Sequence, residues 1–257
     1  MGRGVSAVVV LDAPRGTLRV DLARVRVQRK SLLEIAGVVG LPTGLHRVEV
    51  NDGERGAALW LQVEPGRLVV KAWDAGLLVD PDPFRTAQVQ GLAAEEGLDP
   101  HLTAYPAAPN APWAALVAPL ERLGPAGARV HRRDPEGADA PLEAALQTHG
   151  GRAPALLGEV AQAFLAGFVD EDEAAQERWR HLARAVLSGA DLVARHPQLF
   201  DEATALLVAQ QQLLPVEVSP EAGCAAEARR LVEALGAHPH LAEAGRRLRE
   251  HLSQRGL

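Results

Sequence analysis

The spacing of apolar residues changes once along this 257-residue chain, and the change sets the fold class. From Val5 to Val79 apolar residues come in short runs or alternate, broken by Pro, Gly, Asn and Asp. That grammar predicts strands at Val5–Leu11, Leu18–Val20, Val25–Val27, Leu45–Val50, Ala57–Val63 and Leu68–Trp73. Asn51-Asp-Gly-Glu-Arg-Gly56 between two such runs predicts a hairpin. After Pro81 and Pro83 the period lengthens to that of a helix, in Phe84–Glu96 and Trp113–Leu123.

The segment 124–141, rich in Gly, Pro, Arg and Asp, is the expected linker. Beyond it the apolar stripes are helical: Leu156, Val160, Ala163, Phe164 and Phe168, then Ala175, Trp179, Leu182 and Val186, then Leu199, Ala203, Leu206, Leu207 and Gln210. His196-Pro197 and Pro215 mark helix boundaries. The expectation is an α+β chain. An antiparallel β-rich N-terminal domain with trailing helices covers 1–123, and an all-α domain covers 142–257.

Charge and composition narrow the function. Lys plus Arg number 27 against 33 Asp plus Glu, a net charge of −6, so there is no electrostatic footprint for a phosphate backbone and no direct nucleic-acid binding is expected. No run approaches the roughly 18 to 20 apolar residues that span a bilayer, so no membrane partner is expected either. The one cysteine, Cys224, forbids an internal disulfide and fits a reducing compartment, the cytoplasm or a nucleus. Lysine occurs only at Lys30 and Lys71 while Ala, Gly and Arg abound, which reads as high-GC codon bias.

No Gly-x-Ser-x-Gly elbow, phosphate loop, His-Glu-x-x-His or paired cysteine set occurs, so no catalytic residue, cofactor or metal is assigned. Gly37, Gly40 and Gly44 read as turn glycines. His238-Pro-His240 reads as a turn between helices, and Asp170-Glu-Asp-Glu173 as a helix start. Asp21 and His46 form the one plausible polar pair for a small-ligand site or an enzyme. The alternative reading of His46, which we prefer, is a hydrogen-bonded structural residue fixing a loop after Gly44.

Two ordered sets of residues resemble the Aar-two (mating-type cistron splicing factor) family, with this chain as a short, prokaryotic-looking relative. The first set is Ala7-Val-Val-Val-Leu-Asp-Ala-Pro14-Arg-Gly16-Thr17, Val20-Asp21, Gly37, Leu41-Pro42-Thr-Gly44-Leu-His46 and the strand ending in Trp73. The second is Leu156-Leu-Gly158-Glu159-Val-Ala-Gln-Ala-Phe164, Trp179, His196-Pro197-Gln-Leu-Phe200, Gln210 and Pro215. The resemblance implies a β-rich domain joined to a VHS-like helical domain, and a non-enzymatic assembly factor for the U-five small nuclear ribonucleoprotein. Such a factor binds a scaffold protein, Prp-eight, during maturation; in a prokaryote the partner would differ. The quoted positions would then be structural or partner-binding. The sequence departs from the family pattern at Arg19, where a glycine is usual, in the short connection between halves, and in ending on a helical segment without a tail strand.

From the pattern we expect Gly16 at positive φ, Thr17 bonding into the Pro14–Thr17 turn, and Trp179 in the helical core. Glu159 and Gln210, on otherwise apolar stripes, should be buried and should tie helices together.

Overall fold

A computed structural model describes residues 6–14, 16–21, 23–25, 35–95, 98, 102–105, 110–127, 142–169, 171–214 and 224–256. The chain divides into two compact units, Met1–Ala111 and Pro112–Leu257. It is an α+β protein, with strands in the first unit and helices in the second.

The first unit is built on two sheets. One has the strand order β8 (Leu77–Val79), β7 (Leu68–Asp74), β1 (Ala7–Leu11), β4 (Ala36–Val39), β9 (Thr103–Ala104). The other has the order β3 (Ala23–Val25), β2 (Thr17–Val20), β5 (Gly44–Asn51), β6 (Gly56–Val63). The second sheet is antiparallel throughout. In the first, β1 pairs antiparallel with β4 but parallel with β7, and β4 pairs parallel with β9. A parallel return needs a crossover, and between β1 and β7 the chain passes through β4 and all four strands of the opposite sheet.

The unbroken apolar run of β1 follows from its position. Val8 and Val10 point into the core between the sheets, with Leu18, Val20, Val48, Val50, Leu61 and Val63. Ala7, Val9 and Leu11 point into a second core with Val70, Ala72, Leu98 and Leu102, closed by Val89 of helix α1 (Pro83–Ala94). A strand covered on both faces has no reason to alternate. Arg85 on the first turn of α1 holds Asp12, just past β1, through two bonds of 2.6 and 2.8 Å.

Several sequence expectations need correction here. Gly37 is no turn residue: it lies in β4 opposite Val9, and a Cβ there would stand 2.3 Å from the Val8 carbonyl oxygen. Gly16 is not at positive φ; a Cβ on it would meet the Asn51 carbonyl oxygen at 1.8 Å, so close backbone approach requires the glycine. Thr17 opens β2, and among the described residues its side chain makes no hydrogen bond. His46 sits inside strand β5 and not in a loop.

The second unit contains α2 (Asn110–Gly127), α3 (Leu142–Thr148), α4 (Ala153–Val169), α5 (Glu173–Leu187), a 3₁₀ turn at Ala190–Leu192, α6 (Pro197–Gln211), α7 (Ala225–Ala237) and α8 (Ala242–Gln254). Helix α2 runs on to Gly127, and from Pro112 onward it belongs with the second unit. Trp113, Leu116, Val117 and Leu120 of α2 are buried, and Arg122 pairs with Glu202 of α6 at 2.6 Å. Residues 128–141 of the expected linker, Val27, Asp170 and Pro215 lie outside the described residues.

Helix α4 is buried around most of its circumference, which makes it the centre of the unit. Gly167 lets α5 approach: a Cβ there would stand 2.8 Å from the Gln176 backbone nitrogen. Asp172 caps α5, accepting from the backbone N–H groups of Ala174 and Ala175 at 3.0 and 3.1 Å. His238 and His240 lie in the turn between α7 and α8. Arg255, at the end of α8, donates to the carbonyls of Gln211, the last residue of α6, and of Leu214 just beyond it.

Candidate functional site

The polar residues singled out from the sequence gather into two separate nodes, one in each unit. In the β unit, Asp21 leaves β2 with φ of 58°, a left-handed conformation that aspartate tolerates better than most residues. Its backbone N–H donates to the Arg47 carbonyl at 2.7 Å, and the Arg47 N–H returns a bond to Asp21 Oδ1 at 2.9 Å. Asp21 Oδ2 accepts from the Tyr105 hydroxyl at 2.5 Å and lies 2.7 Å from His46 Nδ1. The other ring nitrogen of His46, Nε2, is 2.9 Å from the carbonyl oxygen of Pro42, whose ring is exposed.

Both ring nitrogens of His46 therefore face oxygen acceptors, and a ring protonated on both satisfies them together. The pair is 1% and 2% exposed, so the carboxylate and imidazole form a buried contact with added hydrogen bonds. Burial, then the charge of Asp21 and the bond to it, push the Tyr105 phenol well above its ordinary range, which keeps it a donor. Tyr105 also stands edge-on to the His46 ring, with centroids 5.9 Å apart. Both oxygens of Asp21 and both ring nitrogens of His46 have partners within the chain. Neither residue can serve as acid, base or nucleophile without breaking the tie between the β2 end, β5 and the residue after β9. Trp73 lies nearby only in the sense of fold: it is half-buried against the core between the sheets.

Tyr105 is the residue sequence reasoning missed. It is 84 positions from Asp21, and no periodicity links the two.

The helical node has two parts. Trp179 is fully buried, and its indole N–H donates to Gln210 Oε1 at 2.8 Å. Gln210 Nε2 in turn donates to the Val160 carbonyl at 3.4 Å, so one amide joins α5, α6 and α4. Phe164 and Phe168 pack on the Trp179 ring with centroids 5.5 and 5.0 Å away. Gly158 is buried beside this stripe on α4, and His196 precedes Pro197 at the start of α6 without capping through its side chain.

Glu159, also buried, is held by Arg178 of α5 and by His149 Nε2, just past the end of α3. Burial opposes the charged form of Glu159, but the His149 bond and the Arg178 charge outweigh it, and its pKa falls below the usual carboxylate value. The bond to Glu159 raises the His149 pKa, against the effect of burial. His149 was not anticipated, although a histidine directly before Gly150-Gly151 is a signal: a cation at a helix C-terminus is favoured there.

Among the described residues no group of His, Cys, Asp and Glu is disposed to hold a metal ion, and no helix is long and apolar enough to cross a membrane.

The molecule is thus a mixed two-sheet unit followed by a helical unit, with its signature polar residues turned inward to join elements. Residues 138–255, which take in α3 to α8, match the family model described as the AAR2 C-terminal repeat region. The helical part is similar to that region, and the match covers a little under half of the chain. No curated protein matches it.

Proposed function

We propose that this protein is a non-enzymatic assembly factor that works by binding another protein, in the manner expected of the Aar-two family. The observation that carries the reading is the family match over the helical unit. The geometry of the β unit supports it: the one polar pair that suggested chemistry, Asp21 and His46, has its polar atoms engaged by Arg47, Tyr105 and Pro42. On this reading Asp21, His46, Glu159, Trp179 and Gln210 maintain the fold, and the partner meets other surfaces. Where a spliceosome exists the partner is a Prp-eight-like scaffold; elsewhere it is a different protein. The chain acts in the cytoplasm, or in a nucleus where there is one.

The test is capture of the tagged full-length chain from its native cells, with partners identified by mass spectrometry, alongside an unbiased substrate screen. A stoichiometric protein complex that reassembles from purified components is the expected result. Absence of such a complex, together with turnover abolished by His46→Ala in a variant that still folds, would replace this reading with an enzyme.

A further inference from the structure

We propose that α3 is a pH-sensitive latch, closed when His149 is protonated and loosened when it is not. The helix is short, Leu142–Thr148, and too brief to stand by itself. Its apolar hold comes from Leu142, Ala145 and Leu146, which are buried. Its polar hold is at the two ends. Glu143 meets Arg195 at 3.0 Å, with both side chains more than half exposed, so this bridge contributes little. At the other end, the His149 ring is part-buried and clamped on both sides.

His149 Nδ1 lies 2.7 Å from the Ala145 carbonyl of α3, and Nε2 faces the carboxylate of Glu159 on α4. Both neighbours accept, so only a ring with two protons satisfies both contacts. The charged groups facing it are Glu159 from α4 and Arg178 from α5; Arg178 spends its own charge on the same carboxylate. The ring also stands where the carbonyls of α3 end, a place that favours positive charge. Gly150 and Gly151, at φ of 63° and 73°, turn the chain directly afterwards, with the Gly151 N–H bonded to the Leu146 carbonyl at 2.8 Å. Loss of one proton leaves a ring lone pair against an oxygen and removes the cation that joins α3 to α4.

The sign follows from the directions of the shifts. The pKa of His149 is raised, so its contribution is complete below the unfolded value of about 6.5 and is lost as pH rises through the folded value. That of Glu159 is lowered, so its contribution is complete above about 4.5 and is lost as pH falls through the folded value. The latch is therefore tightest between these two reference values and opens on the alkaline side through His149.

The experiment is amide hydrogen exchange by NMR on the full chain from pH 5.5 to 9, corrected for intrinsic exchange, with His149 ring signals followed in parallel. Protection of Ala145–Thr148 should fall several-fold relative to Leu206 and Leu207 of α6 as the ring deprotonates. His149→Gln should show the lower protection at all pH values with no such step. A wild-type α3 whose protection relative to α6 stays flat over this range would overturn the proposal, and so would a step that survives in His149→Gln. The wild-type measurement decides the matter even if the variant folds poorly.

Discussion

The β unit and the helical unit both use buried polar residues to join elements distant in sequence, but the β unit centres on the carboxylate of Asp21, whereas the helical unit sets a neutral amide, Gln210, beside its charged tie at Glu159. Asp21 gathers donors from His46, Arg47 and Tyr105, so its removal would leave an imidazole, a backbone N–H and a phenol without their acceptor. Gln210 gives one bond and takes one, so its removal would orphan an indole N–H and release a carbonyl. The helical unit can afford the weaker tie because its stripes already bury Leu156, Val160, Phe164, Leu206 and Leu207 around it. The sandwich has a less local problem: its sheets meet only through side chains, and the charged tie fixes where the β2 end, β5 and the chain after β9 come together.

This contrast can be broken by substitution. Trp179→Ala should have the largest effect, about 5 kcal/mol in urea unfolding, because it opens a cavity at a fully buried site and also strands Gln210. A loss below about 2 kcal/mol would mean that the helices around it relax. Asp21→Ala should cost about 3 to 5 kcal/mol, because it leaves three buried donors without their acceptor. If it costs no more than Gln210→Leu, which should stay near 1 kcal/mol, the two nodes do not differ as argued. Tyr105→Phe removes one bond to a charged acceptor and should cost about 2 kcal/mol, with the Asp21–His46 pair intact by His46 ring chemical shift.

The smallest effect sharpens a comparison inside the helical unit. His251 is buried with Nε2 unpartnered, and burial followed by the Arg255 charge lowers its pKa, opposite to His149. A lowered histidine binds its proton more readily when unfolded, so stability should rise with pH up to about 6.5 and fall as acid is added below it. In His251→Leu the acid-side slope of stability against pH should flatten while the alkaline side is unchanged. An unaltered slope would assign the acid sensitivity to other groups.

What could be read in advance depended on whether the deciding contacts were periodic. The stripes through Leu156, Trp179 and Leu206 announced α4, α5 and α6 because each helix buries a face against its neighbours, and Glu159 and Gln210 were conspicuous as polar residues on those stripes. Strand β4 was missed because Gly37 and Gly40 bracket its valines and look like turn residues; in the folded chain Gly37 is required by the passing backbone of Val8. The parallel pairing of β1 with β7 leaves no local mark, since a strand buried on both faces reads alike in either direction. Asp21 and His46 were legible as a pair, but Tyr105, which completes their node, is set only by the tertiary fold. Short-range signals such as the Asp172 cap were readable, and close-approach glycines such as Gly16 were recognised for the wrong reason.

The central place of β1 has a consequence for how the chain is made. Its partners on the two sides, β4 and β7, are translated after it, the second only once residue 74 has been added. Until then Ala7-Val-Val-Val-Leu11 is an uncharged, β-branched segment with both edges open, a composition that pairs readily with copies of itself. The nascent β unit is thus most exposed to aggregation while β7 is still unmade, and slow elongation between β4 and β7 should lower the yield of folded protein more than the same delay placed after β8.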